Sequence, residues 1–301
     1  MWTTLTVGVF TPSVLLAVAA DAGTLAAREL TVEQVRVGSS PGQFRALLDG
    51  DLDIALTSPD NVLAYRYDPA NPLGELADVR IVAGLDRSMG LALYGRPGLT
   101  DPAQLRGATL GVDVPTSGFA LAMYALTESL GIDRDTYELA TLGSTPRRLE
   151  ALLAGRCDAT MLGAGNELHA EQAGCVRFAS VAEVCAPYLG SVLAVAGDKA
   201  LAPAHRLADA LHATAAAILA GHLDHQVRDA ATTLLDLSGD LATRYLDRLR
   251  HPTEGLIDHT EFDPAALATV IDLRRRYLPT PALARALDPD PATGLLALAR
   301  T

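Results

Sequence analysis

The sequence predicts a two-lobed α/β protein in which each lobe is a mainly parallel sheet flanked by helices, with a helical block at the C-terminus. Short apolar runs rich in β-branched residues alternate with longer segments of helical period, which is typical of βαβ units. An internal repeat indicates that the βαβ pattern occurs twice. From about residue 204 onward, apolar residues recur at helical spacing only.

The apolar runs predict nine strands, with helices between them. These strands are expected at 5–9, 32–37, 53–56, 80–84, 91–95, 109–113, 138–142, 158–162 and 191–196. The C-terminal block is expected to form helices at 204–220, 223–238, 240–249 and 263–277. We expect this block to pack on the first lobe and brace a hinge, and the two prolines in 288–291 to form a surface turn.

The internal repeat joins residues 38–53 to residues 143–158, which lie 105 positions later. Both copies begin Gly-Ser-Ser/Thr-Pro, continue through a Leu-Leu pair and end in Gly-x-x-Asp. The match extends upstream with a small shift, since Gly8 corresponds to Gly111 and Pro12 to Pro115. The sequence therefore predicts two lobes of one design. Their boundaries are expected at 1–88 with 192–301 for lobe 1, and at 89–191 for lobe 2.

The Ser/Thr-Pro step of each copy predicts the start of a helix. Ser40 and Thr145 can cap the first turn, and the prolines that follow occupy a position where no amide proton is needed. Gly50 and Gly155 can adopt the left-handed conformation that ends such a helix.

Composition favours a small molecule as the partner. The 301 residues carry a net charge of -12 and have a pI near 4.9, so the surface repels nucleic acid and anionic membranes, and no apolar stretch is long enough to insert into a bilayer. The three cysteines form no C-x-x-C pair, so we expect buried free thiols, no metal site and no cofactor. If Met1 is the native start, the absence of an export segment predicts a cytoplasmic protein; otherwise a periplasmic or extracellular location is expected.

Three segments resemble the nitrate/sulfonate/taurine and thiamine-pyrimidine-precursor family of ABC transporter substrate-binding proteins. They are residues 47–55, 101–112 and 151–159, within a resemblance that spans roughly residues 5 to 235. The resemblance implies the type II periplasmic-binding-protein fold, with two lobes that close about crossing segments near 88–94 and 190–195. The chain departs from the family in having no cysteine-rich iron motif of the thiamine-precursor synthases.

Ligands of such folds lie beyond the carboxyl ends of the strands, between the lobes. The strongest candidate is the loop with Thr116, Ser117, Gly118 and Phe119, because hydroxyls and free N–H groups at a helix start can hold a carboxylate, sulfonate or phosphate. The alternative is that Thr116 or Ser117 only caps the helix. Further candidates, each with an ordinary turn or cap as its alternative, are Thr11, Pro12, Ser39, Ser40, Thr57, Ser58, Ser88, Gly163 and Asn166.

Two main functions follow. The first is binding of one small anionic metabolite in an interlobe cleft with hinge closure and no chemistry, with an ABC permease as partner if the protein is exported. The second is a cytoplasmic lyase, decarboxylase or hydro-lyase in which Asp60, Glu167 or His169 serves as acid or base. Exposure at the start of a helix is the alternative for Glu167 and His169. A cytoplasmic sensor or tethered domain is a third possibility.

Overall fold

The computed structural model of the protein describes residues 2–279, 281, 284 and 292–297, and the turn predicted at 288–291 lies outside them. Its strands form two five-stranded sheets. The first sheet contains β1 (Thr3–Val9), β2 (Leu30–Arg36), β3 (Ile54–Thr57), β4 (Val79–Asp86) and β10 (Ser191–Ala196). The second contains β5 (Ala92–Gly95), β6 (Thr109–Val112), β7 (Glu138–Thr141), β8 (Ala159–Leu162) and β9 (Val176–Ser180). We refer to the parts built on these sheets as lobe 1 and lobe 2.

The two sheets have the same topology. The first has the order β2-β1-β3-β10-β4 and the second β7-β6-β8-β5-β9. In each sheet the first three strands are parallel, and the fourth, β10 or β5, is antiparallel to both of its neighbours. All nine predicted strands are present, and the predicted two-lobed α/β fold with mainly parallel sheets is confirmed. Strand β9 was missed because Arg177 interrupts its apolar run.

Helices flank both sheets and form the C-terminal block. They are α1 (Val14–Asp21), α2 (Ser40–Asp49), α3 (Pro59–Tyr67), α4 (Gly118–Ser129), α5 (Thr145–Leu153), α6 (Asn166–Gln172), α7 (Val181–Val184), α8 (Leu201–Leu219), α9 (Asp224–Leu235), α10 (Asp240–Arg250), α11 (Pro264–Tyr277) and α12 (Ala292–Leu295). Among the described residues, none of these helices has both the length and the apolar character that crossing a bilayer requires.

The helix starts of the repeat differ by one residue from the prediction. Ser39, not Ser40, caps α2, and its hydroxyl accepts a hydrogen bond from the N–H of Gly42 at 3.3 Å. Ser144 stands at the corresponding position before α5, so Thr145 is the first helical residue and not the cap. The cap lies one residue earlier because Pro is the second helical residue and lacks an N–H, so the cap hydroxyl reaches the third.

The C-terminal block packs on both lobes rather than on lobe 1 alone. Helix α8 covers β4 and β10 of lobe 1 with a buried face that includes Leu207, Leu211 and Ile218. Helix α10 also contacts α6 of lobe 2, and α11 contacts both α3 and α4. Burying each such Leu or Ile side chain stabilises the fold by about 1.5–3 kcal/mol. The block therefore ties the two lobes together.

The three cysteines are free and buried, as predicted. Burial raises the pKa of Cys157 and of Cys185 to about 11, so both thiols stay protonated near neutral pH. They act as small apolar side chains in the core.

Candidate ligand-binding site

A cavity of about 160 Å³ lies between the two lobes, at the carboxyl ends of the strands. One water needs about 10–15 Å³ of space measured in this way, so the cavity has room for a small organic molecule. Both lobes contribute to its wall. The predicted site residues that line it are Thr11, Pro12, Thr57, Ser58, Ser88, Ser117, Gly118, Phe119 and Gly163.

Four predicted ligand-binding residues lie outside this wall. Ser39 caps α2, and the N–H of Ser40 donates to Asp113 Oδ2 at 3.2 Å. Ser40 and Thr116 line a separate small crevice beside Arg274. Asn166 Nδ2 donates to Thr11 Oγ1 at 3.2 Å, which links lobe 2 to lobe 1 at the edge of the cavity.

Two helix N-termini face the cavity from opposite lobes. Val14 and Leu15 at the start of α1, and Gly118 and Phe119 at the start of α4, line its wall. The first N–H groups of a helix have no partner within the helix, and the helix dipole makes this end positive. Ser117 also caps α4 by accepting from the N–H of Ala120 at 3.4 Å. The same residue therefore caps the helix and lines the cavity.

A buried carboxylate, Asp86, closes the cavity on the side of the crossing segments. Its Oδ1 accepts from the N–H of Ser88 at 3.0 Å, and its Oδ2 accepts a short hydrogen bond from the hydroxyl of Ser191. Burial raises the pKa of Asp86 to about 6. Ser88 follows β4 and Ser191 begins β10, so Asp86 joins the two segments that connect the lobes.

Sequence reasoning missed two charged residues in the wall, Asp113 and Arg148. Arg148 is buried and donates to the carbonyl of Gly143 at 2.6 Å and to two further acceptors. Burial lowers its pKa to about 10, so the guanidinium is charged at neutral pH. A comparison of the two repeat copies could have identified both residues. Asp113 and Arg148 are charged, whereas the equivalent residues of the first copy, Phe10 and Gln43, are uncharged.

Other wall residues have no comparable signal in the sequence. Tyr245, Leu249 and Leu256 come from α10 and the segment after it, far from both repeat copies. Their periodic spacing predicts a buried helix face and does not distinguish a cavity from a packed core.

The three candidate acid or base residues are absent from the cavity wall. Asp60 is buried against Arg274, which donates to its two oxygens at 2.6 and 2.7 Å. His169 Nε2 lies 2.7 Å from the carbonyl oxygen of Leu235. Glu167 is fully buried and accepts from the N–H of Gly165 at 2.8 Å, so the expectation of an exposed Glu167 is wrong.

The lobes touch each other around the cavity. The N–H of Ser144 donates to the carbonyl of Gly38 at 3.1 Å, and the contact of Ser40 with Asp113 lies nearby. Arg274, which is paired with Asp60 of lobe 1, also donates to the carbonyl of Thr116 in lobe 2 at 2.9 Å, so this side chain joins the two lobes. This arrangement is a closed one.

Comparison with solved structures identifies the fold. The alkanesulfonate-binding protein SsuA from Xanthomonas axonopodis pv. citri, bound to MOPS, is 16% identical with a TM-score of 0.71, over 92% of this chain and 94% of that one. The periplasmic nitrate-binding protein NrtA from Synechocystis is 12% identical with a TM-score of 0.71, over 99% and 92%. A Candida albicans protein described as having the generic periplasmic binding protein fold is 16% identical with a TM-score of 0.70, over 99% and 97%.

This protein therefore has the periplasmic-binding-protein fold that the resemblance implied. No protein-family model and no curated protein matches its sequence. At 12–16% identity the structural likeness identifies the fold and not the ligand.

Proposed function

We propose that this protein binds one small molecule in the cavity and closes its two lobes over it. The observation that carries this proposal is the pairing of two helix N-termini, that of α1 from lobe 1 and that of α4 from lobe 2, on one cavity. Neither lobe provides a complete binding site alone, because each provides only part of the wall. Binding energy is therefore available only when the lobes come together.

The crossing segments are suited to serve as a hinge between residues 1–88 with 192–301 and residues 89–191. Ser88 and Met89 have φ values of 152° and 47°, which residues other than glycine seldom adopt. Asp86 binds groups from both segments, as described above. A small change in backbone angles at these positions would rotate one lobe relative to the other.

The polar end of the ligand is expected at the start of α4. The N–H groups of Gly118 and Phe119 suit an acceptor such as a carboxylate, sulfonate or carbonyl oxygen. The two bacterial neighbours are an alkanesulfonate-binding and a nitrate-binding protein, and these ligand classes support a small polar cargo. If the chain is exported, an ABC permease is the partner that this function implies.

The enzyme alternative has less support. Asp60 is engaged by Arg274, and neither Glu167 nor His169 belongs to the cavity wall. Changing all three residues to alanine tests it: turnover that stays intact in this variant would rule out the proposed acid and base roles.

Native mass spectrometry of the purified protein, followed by thermal-shift screening of small polar compounds, tests the binding proposal. The informative variant is Gly118→Ala, because a Cβ there would lie 2.6 Å from Asp60 Cβ and 2.8 Å from Ser58 Oγ of the opposite lobe. Gly42→Ala in α2 is the matched control, since that Cβ meets only Ser39 Oγ at 3.3 Å.

We expect a compound that raises the melting temperature of the wild type and of Gly42→Ala but has a much smaller effect on Gly118→Ala. Equal increases in melting temperature in all three proteins would contradict the proposal that lobe closure completes the binding site. A screen in which no compound shifts the wild type would contradict ligand binding itself.

A further inference from the structure

The two copies of the repeat differ in charge at one pair of equivalent buried positions. Gln43 in α2 and Arg148 in α5 lie 105 residues apart, as do the strand residues Leu56 and Met161. Gln43 Nε2 donates to the carbonyl of Leu56 at 3.0 Å, and an Arg148 Nη donates to the carbonyl of Met161 at 3.3 Å. The same link between helix and strand thus uses a neutral amide in lobe 1 and a cation in lobe 2.

A second difference occurs just after the first strand of each copy. Phe10 follows β1, and Asp113 occupies the equivalent place after β6. Both residues line the cavity. At these two pairs of equivalent positions, lobe 2 places a carboxylate and a guanidinium in the cavity wall, whereas lobe 1 places only the aromatic ring of Phe10 there.

Asp113 and Arg148 do not form an ion pair, although both charges are buried in the same wall. Arg148 directs its Nη atoms to three other acceptors, and its buried Nε has no partner among the described residues. Asp113 Oδ2 is occupied by the N–H of Ser40, and its buried Oδ1 is also without a described partner. A buried polar atom left without a hydrogen bond costs about 1–3 kcal/mol.

The charges around the cavity nearly balance without a ligand. Asp86 and Asp113 contribute two carboxyl groups, and Arg148 contributes one cation. The N-termini of α1 and α4 each add about half a positive charge. A ligand with a full net charge would disturb this balance.

We propose that the ligand is an electrically neutral molecule whose polar end carries a hydrogen-bond donor beside an acceptor, as in a primary amide. The donor faces the carboxylate of Asp113, the acceptor faces the guanidinium of Arg148 and the start of α4, and a short apolar tail faces lobe 1. Phe10, Leu56 and Leu85 provide the apolar surface there. This inference rests on the proposed binding function and differs from the anionic ligand that the sequence predicts.

Three probes that each contain four carbon atoms test this ligand class by calorimetry and thermal shift. Butyramide carries a donor and an acceptor, butyrate carries only acceptors, and butylammonium carries only donors. We expect butyramide to stabilise the protein at concentrations at which the other two have no effect. Butyrate binding as well as butyramide, or no shift with butyramide, would overturn the inference.

Two variants connect the effect to the named side chains. Arg148→Gln copies the residue that already occupies the equivalent position of lobe 1, so it is expected to fold, and Asp113→Asn keeps the shape of the carboxylate. Each should weaken butyramide binding by about tenfold or more, the effect of losing one hydrogen bond to a charged group. The matched control is Arg156→Gln at an exposed position near the end of α5, which should bind butyramide as the wild type does.

Equal affinity in Arg148→Gln and the wild type would contradict the assigned polar contacts. The outcomes also separate this inference from the proposed function. If another compound of the screen is retained and closes the lobes while butyramide does not bind, only the neutral-amide class fails. If nothing binds, both fail.

Discussion

The carbonyl oxygen of Gly38 in lobe 1 accepts a hydrogen bond from the N–H of Ser144 in lobe 2 at 3.1 Å. Gly38 and Gly143 are equivalent positions of the internal repeat, so the two copies meet at their own starting residues. A Cβ on Gly143 would lie 2.8 Å from the Gly38 oxygen. The closed arrangement therefore depends on glycine at this point.

Gly143→Ala should weaken closure. Its φ of 79° makes any side chain unfavourable by about 1–2 kcal/mol, and the new methyl group would also push against the Gly38 carbonyl. Gly155→Ala is the control, because Gly155 has a similar φ of 67° and open space around its Cβ. Thermal unfolding should show a similar loss of stability in both variants, and only Gly143→Ala should lose ligand affinity. Equal affinity in the two variants would rule out a role for this contact in closure.

The buried Asp60–Arg274 pair is expected to be structural. Both side chains are about 1% exposed, and removal of one partner leaves a buried charge without compensation. Asp60→Ala should lower the free energy of unfolding by about 3–5 kcal/mol, measured by urea titration. Glu75→Gln, which breaks the exposed pair of Glu75 with Arg45, should cost less than about 1 kcal/mol. A fully stable Asp60→Ala protein would contradict the structural role.

Stability should depend on pH through Glu167. Burial raises its pKa from 4.5 to about 7. The negative charge of Glu171 also raises this pKa, whereas the positive charge of Arg248 lowers it. The folded state then binds more protons than the unfolded state between these values, so the free energy of unfolding falls as pH rises from about 4.5 to 7 and levels off above.

Glu167→Gln removes this contribution. Relative to the variant, the wild type should lose on the order of 3 kcal/mol across that pH range. Urea titrations at several pH values measure the difference, with exposed Glu138→Gln as the control. Parallel pH curves for the wild type and Glu167→Gln would contradict the raised pKa.

The repeat and the strand pattern predicted the fold because both depend on local signals. The Ser/Thr-Pro and Gly-x-x-Asp elements determine helix starts and ends, and short apolar runs mark buried strands. The start of α4 was predicted for the same reason, since cap residues and helix periodicity are local. Asp113 and Arg148 were missed because they stand out as site residues only when the charges at equivalent positions of the two repeat copies are compared. The Asp60–Arg274 pair joins residues 214 positions apart, which no local pattern encodes.

Small-angle X-ray scattering of the protein with and without a retained or stabilising compound tests ligand-driven closure most directly. We expect a smaller radius of gyration at saturating compound for the wild type and for Gly155→Ala, and a smaller change for Gly143→Ala. A radius of gyration that stays constant in the wild type while the compound binds would contradict closure of the two lobes over the ligand.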